Sequence, residues 1–439
     1  MAEHYWLETL GCPKNRVDSD KLEGTIRAEG YAPARSPADA DLVVVNTCAF
    51  IEAARQESVD TILELAATRR RGARLVVTGC LAERYGDELA ATLPEVDLVA
   101  GFGVPVTLGP TVRVQQGHSP LTDVARDGEA PPSFDLLNLP RPAAGAPWAY
   151  VKAAEGCDRR CGFCAIPSFR GPQRSRPVAA VLDEVEALGD SVQEVVLVAQ
   201  DLASYGLDRS APDRGAVAGG GERPIVTLVG AVAERVPRVR LLYLYPSSLD
   251  DRLIETIVHT GVPYFDLSLQ HVARGLVRRM RRWGDGARFL ERIARIRATA
   301  PDAALRSSFI VGYPGETEAD HDELLAFVAE AQLDWGGFFT WSCEPGTYAA
   351  GLPDAVPEEL ALERLRECAE LQDTITAERR AALVGERLTV LVDEPGVARS
   401  HREAPEIDGV VHVDRSIPVG ALCDGVVTGA AGPDVWADT

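Results

Sequence analysis

The sequence predicts an α/β chain of three units: an N-terminal doubly wound parallel-sheet domain, a central (βα)6 barrel or partial barrel, and a small all-β barrel at the C-terminus. Three observations carry that expectation. Continuous Val/Leu runs alternate with helical stretches over the N-terminal part of the chain. Six further strand-like runs, with helical stretches between them, follow from Trp148. The last ~60 residues change to short strands broken by Gly, Pro and Asp turns.

The first unit is placed at residues 1–123. Tyr5 to Leu10 is an apolar-rich run that ends at Gly11-Cys12. Asp41 to Thr47 ends at Cys48, and Arg74 to Thr78 ends at Gly79-Cys80. Continuous aliphatic runs of this length suit parallel strands covered on both faces. Helical stretches follow at Ser19 to Glu29, Glu52 to Arg70 and Ala82 to Thr92, the order of an open doubly wound sheet. Ligands of such sheets collect outside the carboxyl ends of the strands, where all three cysteines fall. Residues 124–147 are rich in Pro, Ala and Gly and read as a linker, with Phe134 to Leu139 able to dock.

The second unit is placed at residues 148–372. Its strands are expected at Ala149 to Ala153, Glu194 to Ala199, Val239 to Leu244, Tyr264 to Leu269, Leu305 to Val311 and Trp335 to Trp341. Helical stretches lie between them, including Val178 to Leu188, Asp250 to Thr260, Ala287 to Ala300 and Glu318 to Ala331. Six βα units place a site at the strand carboxyl ends. Asp208 to Pro224 reads as a surface insertion, and Pro353 to Arg380 as a charged connecting helix. The third unit, 373–439, carries short strands at Arg387 to Val392, Gly409 to Val413 and Gly425 to Thr428.

Composition narrows the function. Hydrophobic residues make up 46% and charged residues 25%, an ordinary globular balance. No apolar run approaches the ~20 residues of a membrane span, and the N-terminus lacks the pattern of a signal peptide, so no membrane is expected and the cytoplasm is the expected compartment. A net charge of −21 argues against a general electrostatic grip on nucleic acid. Basic residues are nearly all Arg, with Lys only at positions 14, 21 and 152. Nine cysteines in a chain with no secretory start are thiols or metal ligands rather than disulfides.

Cys157-Asp-Arg-Arg-Cys161-Gly-Phe-Cys164 is the strongest motif. Thiolates are the ligands of iron–sulfur clusters, and a cubane normally takes four. Three close together leave one iron open to a cofactor or substrate. Zinc would need a fourth ligand, and the closest histidine is His118. The run resembles the radical S-adenosylmethionine superfamily. The resemblance implies a 4Fe-4S cluster on Cys157, Cys161 and Cys164 whose free iron chelates S-adenosylmethionine. One electron then yields methionine and a 5′-deoxyadenosyl radical that removes a hydrogen atom from an unactivated C–H. Phe163 matches the family pattern. Ala199-Gln200-Asp201 and Phe309 to Thr317, with Gly312, resemble cofactor contacts of that family.

Cys12, Cys48 and Cys80 stand 36 and 32 residues apart but each ends a predicted strand. Together with Glu8 to Asn15, Asp18-Ser-Asp20, Val45 to Cys48, Thr78 to Cys80, Glu155 to Cys157, Gly171 to Arg176 and Ser268 to His271, they make nearly the whole chain resemble the methylthiotransferase family. Membership implies a second, auxiliary 4Fe-4S cluster on Cys12, Cys48 and Cys80, and two S-adenosylmethionine molecules per product. One supplies a methyl group and the other the radical, so that C–S–CH3 replaces C–H. It also implies a low-potential electron donor, flavodoxin- or ferredoxin-like, and a sulfur donor.

Substrate divides that family. One branch modifies the β-carbon of an aspartate in small-subunit ribosomal protein number twelve, and others modify the 2-position of a tRNA adenosine. Gly11 to Asn15, Phe50-Ile51, Gln270-His271, Arg278 to Gly284 and Glu403 to Gly409 resemble the protein branch. The C-terminal unit resembles a TRAM domain, which often grips RNA. Yet from Thr376 onward six Arg stand against eleven Asp or Glu with no Lys, a net −5, and Trp436 is the one aromatic. An RNA grip needs a basic stripe with stacking aromatics, whereas an acidic domain suits a basic ribosomal protein. Arg278 to Arg282 leaves tRNA as the alternative. A non-catalytic metal-binding regulator is the alternative of another class. Cys343, Cys368 and Cys423 have no partner spacing and read as core or surface thiols.

Overall fold

The computed structural model describes residues 3–107, 134–209 and 222–439. His118, residues 124–133 of the expected linker and residues 210–221 of the expected insertion lie outside the described residues.

The N-terminal sheet is five-stranded and wholly parallel, in the order Ala32–Pro33, His4–Thr9, Leu42–Thr47, Arg74–Gly79, Leu98–Val99. Leu42–Thr47 is buried along its whole length, as its unbroken aliphatic sequence requires. The first helix runs Pro13–Ala28, starting six residues before the expected Ser19. Proline fits the first helical turn because that N–H has no intrahelical partner. The correction puts Lys14, Asn15 and Asp18 on the helix and Cys12 at its N-cap. Phe134 and Leu136 pack into this domain's core, so the segment that begins at Phe134 is docked.

Six parallel strands follow in sequence order: Trp148–Lys152, Glu194–Val198, Arg238–Leu241, Tyr264–Gln270, Ala304–Val311 and Trp335–Thr340. A single bridge, Leu244 to Leu267, joins the first three to the last three, giving a partial barrel. The sequence reading missed the helices Ile166–Arg170, Pro224–Ala233 and Arg274–Arg279. The connecting helix is Glu358–Ala381, and beyond it five strands close a small barrel. Its strands Val397–Arg399 and Asp434–Asp438 were not foreseen, and Leu422–Ala431 is longer than expected.

Residues 399–408 leave the small barrel and stopper the amino-terminal end of the large one. Tyr150 Oη donates to the Pro405 carbonyl (2.7 Å), and Trp335 Nε1 donates to that of Arg402 (2.6 Å). Arg240 donates to the carbonyls of His401 (2.9 Å) and Ser400 (3.2 Å), and Tyr264 Oη to Asp408 (2.6 Å). Glu194 pairs with Arg399, and Arg306 with Asp408 at 3.5 Å. All six strands thus contribute a side chain to one segment. Ala404 packs among Tyr150, Val196, Leu242, Tyr264 and Trp335 inside the barrel.

Candidate active site

Adjacent parallel strands of the N-terminal sheet end at one edge, and that edge gathers Cys12, Cys48 and Cys80. Cys12 caps the helix Pro13–Ala28, and Cys80 opens the helix Cys80–Thr92. The positive end of a helix favours a thiolate. Gly11 has φ +91°, and a Cβ there would lie 2.8 Å from Cys48 Cβ and 2.9 Å from its Sγ. Only glycine lets these two loops meet so closely. Burial pushes the Cys48 thiol up to about 12, with Cys80 and Cys12 adding to it. Burial also acts to raise Cys12, but Lys14 and Arg170 outweigh it and bring that thiol below its ordinary value. The three sulfurs therefore feel one another and one shared cation, Arg170.

Cys157, Cys161 and Cys164 lie in the loop after the first barrel strand. Backbone bonds pin it: Cys157 N to the Gly171 carbonyl at 3.1 Å, Gly162 N to that of Met280 at 2.8 Å, and Ala349 N to that of Gly162 at 2.8 Å. A Cβ on Gly162 would sit 3.0 Å from both Tyr313 Oη and Tyr348 Cδ1, so the loop is clamped against the barrel rim. Phe163 anchors it by packing with Leu276, Met280, Tyr313 and Trp341. Arg282 Nη1 donates to Cys161 Sγ (3.1 Å), and the Arg159 N–H donates to Cys157 Sγ (3.4 Å). Burial pushes Cys157 up to about 11 and Cys164 up to about 12. Thiols so placed release protons when a metal binds.

Among the described residues no three His, Cys, Asp or Glu side chains converge on a single ion. A cubane asks for a wider set, because each thiolate takes its own iron. Two all-thiol sets of three, backed by N–H and guanidinium donors, fit such clusters and do not fit tetrahedral zinc.

Gln200 follows the second barrel strand. Its Nε2 donates to Glu155 Oε1 (2.7 Å), while its Oε1 is buried without a partner among the described residues. Asp201 Oδ2 is held by Arg159 (2.7 Å) and Ser204 (2.7 Å), and its Oδ1 is likewise unpartnered. Gly312 has φ +73°, its N–H bonds to Glu316, and a Cβ there would lie 2.6 Å from Ala361 Cβ. The glycine is therefore needed where the connecting helix crosses.

A buried ionic cluster lies between the two thiol sets and escaped the sequence reading. Lys152 bonds Asp18, from the N-terminal helix, and Glu155 (2.7 Å). Arg170 Nη1 bonds Glu155 Oε1 (2.7 Å), and its Nη2 reaches Asp18 (3.3 Å), Asn15 Oδ1 (2.9 Å) and Cys80 Sγ (3.0 Å). The rarity of lysine was the one available signal. All three lysines are buried: Lys14 stands 3.2 Å from the Tyr243 ring centroid, and Lys21 pairs with Glu184 (2.9 Å).

Family models match in the same three units. Residues 4–101 match an uncharacterised protein family, UPF0004, residues 151–328 match the radical SAM superfamily, and residues 384–439 match the TRAM domain. Fold and sequence together define a radical S-adenosylmethionine enzyme, a class that works with S-adenosylmethionine and an iron–sulfur cluster. Among curated relatives, the ribosomal protein uS12 methylthiotransferase RimO of Moorella thermoacetica is 43% identical over 92% of this chain and 91% of its own length. The protein of the same name from Chloroflexus aurantiacus is 39% identical over 99% of each chain, and that from Streptomyces avermitilis is 40% identical over 98% of this chain and 96% of its own. The chain belongs to the RimO family of methylthiotransferases. Among the described residues no helix is long and apolar enough to cross a membrane.

Proposed function

We propose that this chain inserts a methylthio group at the β-carbon of an aspartate in ribosomal protein uS12. Cys157, Cys161 and Cys164 hold the cluster that binds S-adenosylmethionine, and Cys12, Cys48 and Cys80 hold an auxiliary 4Fe-4S cluster. Bound there, the clusters and two S-adenosylmethionine molecules supply the radical, the sulfur and the methyl group. The chain's own residues place and enclose them. Phe163, Gln200 and the Gly312 turn form the S-adenosylmethionine end of the site, where the unpartnered Gln200 Oε1 is a ready acceptor for an ammonium group. Lys14, Lys21 and Lys152 dock the N-terminal domain over the barrel mouth and keep water out. An electron donor of low potential and a sulfur donor complete the set of partners, in the cytoplasm where ribosomes are made. Three functional units divide near residues 123 and 372, with 124–147 between the first two.

The observation that carries the protein substrate is the charge left on the C-terminal surface. Arg380 and Arg399 are buried in ion pairs with Glu403 and with Glu194 and Asp393, while Arg379 and Arg402 pair with Asp334. The exposed charges are Arg387 and Arg415 against Glu378, Glu386, Glu394, Glu406, Asp414, Asp424 and Asp438. The exposed charges therefore keep the whole net −5 of the segment, carried by seven carboxylates against two guanidinium groups, which favours a basic protein and disfavours a phosphate backbone.

The test is mass spectrometry of small-subunit ribosomal proteins from cells with and without the gene. A methylthio increment on one aspartate of uS12, present only with the gene, is the expected outcome. Identical masses in both strains, with a gene-dependent change in tRNA nucleosides, would overturn the proposal.

A further inference from the structure

Arg170 belongs to neither thiol set, yet it touches both neighbourhoods. It ends the helix Ile166–Arg170, which begins two residues after Cys164. Its guanidinium crosses to the N-terminal domain and donates to Cys80 Sγ at 3.0 Å. The side chain is nearly fully buried, and its guanidinium carbon stands 4.5 Å from the Phe102 ring centroid. Glu155 and Asp18 fix the charged head from two sides, one from each domain. Glu155 is itself held by Lys152 and by Gln200.

Within this cluster Lys152 and Arg170 balance Asp18 and Glu155. The Cys80 thiolate is one negative charge more than that balance, and among the described residues the one cation bonded to it is Arg170. A charged hydrogen bond to a cluster thiolate draws electron density from the sulfur and stabilises the reduced, more negative state of the cluster. Burial strengthens the effect because no water competes.

We infer that Arg170 is a positioning residue through which the barrel domain holds the Cys80 corner of the auxiliary cluster and sets that cluster's reduction potential. The inference rests on the reading of Cys12, Cys48 and Cys80 as cluster ligands. Arg170 makes the auxiliary cluster easier to reduce than the same three thiolates would alone. Asp18, on the other side of the guanidinium, works in the opposite sense.

The experiment uses the full chain, reconstituted anaerobically with iron and sulfide, in a background where Cys157, Cys161 and Cys164 are alanine. The remaining electron paramagnetic resonance signal then belongs to the auxiliary cluster alone. Redox titration of that signal is expected to shift to more negative potential in Arg170→Gln and to more positive potential in Asp18→Asn. Arg170→Lys, which keeps the charge but loses the fork, should fall between the parent and Arg170→Gln. Opposite shifts are the signature, because a purely structural role would move both variants the same way or neither. Unchanged potentials in Arg170→Gln at full iron content would overturn the inference. Should Arg170→Gln fail to retain iron, Asp18→Asn still decides, and a negative or absent shift there would overturn it. A background protein that binds no iron would instead overturn the auxiliary-cluster reading, which separates the two failures.

Discussion

Glu194 is the sharpest test of the stoppered barrel. Its carboxylate is fully buried and faces three guanidinium groups: Arg240 at 2.7 Å, Arg399 at 3.2 Å and Arg238 at 3.6 Å. Arg399 comes from the C-terminal domain and also pairs with Asp393 (2.5 Å). Glu194→Gln keeps the shape and one acceptor oxygen but leaves the buried Arg238 and Arg240 without their ion-pair partner and Arg399 with Asp393 alone. Breaking a buried pair in this way costs about 3–5 kcal/mol. Burial acts to raise the Glu194 carboxyl, but Arg240, Arg399 and Arg238 outweigh it and hold it below the usual range. A depressed carboxylate stabilises the fold above its unfolded value of about 4.3 and stops doing so as pH falls through the lower folded value. The gap between parent and variant should therefore be constant from about pH 6 to 8 and close only in acid. Urea unfolding followed by tryptophan fluorescence measures it, with Trp148 and Trp335 in the large barrel and Trp436 in the small one. A cycle with Arg399→Gln should return a coupling of about 1–3 kcal/mol. A variant within about 0.5 kcal/mol of the parent, the range of an ordinary surface change, would refute the stopper. So would a C-terminal domain that unfolds in a separate transition while the barrel stays intact.

Other outcomes follow from the site. Cys161→Ala should abolish 5′-deoxyadenosine formation while roughly half the iron remains, and detectable cleavage of S-adenosylmethionine would contradict the assignment. Cys48→Ala should retain that cleavage and lose methylthio product, measured by mass spectrometry of uS12; product formation would remove Cys48 from its role. Gly79→Ala puts a Cβ at φ +90°, 2.3 Å from Asn46 Oδ1 and 2.6 Å from Thr47 N. It should lower the unfolding free energy by about 2 kcal/mol or more, and a parent-like denaturation midpoint would count against the tight turn before Cys80. Lys152→Arg keeps the charge but forces a planar fork into a space filled by an ammonium. It should cost about 1–3 kcal/mol in the same assay, and full retention would show that charge alone matters there.

What could be read from the sequence follows from what each element needs. Leu42–Thr47 and Glu194–Val198 are runs of apolar residues long enough to announce burial on both faces, and the structure places the expected barrel strands within one residue except for Arg238–Leu241, which ends three residues before the expected Leu244. The helix Pro13–Ala28 begins six residues before the expected Ser19, because its first turn carries Pro, Lys and Asn rather than an apolar face. Its lysine, asparagine and aspartate are buried by contacts from another domain, which no local pattern carries. Pro224–Ala233 is apolar nearly all round, so it has no periodicity to detect. Ile166–Arg170 is five residues long, less than two turns. The segment 399–408 was legible only as turn-rich sequence, because most of its bonds into the barrel are accepted by backbone carbonyls. Cysteines declared themselves by spacing and by strand ends. Arg170 could not, being one of 45 Lys and Arg residues in a chain that uses Arg almost exclusively.

That usage gives the lysines their meaning. Wherever a surface cation was wanted, this chain has Arg, and its three Lys are all buried between the N-terminal domain and the barrel. An ammonium is a compact point charge on a thin stem, and it fits where two or three acceptors converge from different elements. Lys21 meets the carbonyls of Leu137 (2.7 Å) and Leu139 (3.2 Å) together with Glu184 (2.9 Å). Lys152 meets Asp18 from above and Glu155 from beside it. Among the described residues no carboxylate reaches Lys14 as an ion pair, and the lysine rests on the face of Tyr243, a residue at φ +64°. A guanidinium needs width and a planar set of acceptors, which none of these crevices offers. The mouth of the barrel is thus closed by one domain through buried lysines, and its base by the other through buried arginines and carbonyls. A six-stranded barrel left open along one side and at both ends would admit water to its interior, and the reactive chemistry of this family demands that water stay out. On the function proposed here, the flanking domains wall the reaction chamber as well as carrying the ligands of the auxiliary cluster.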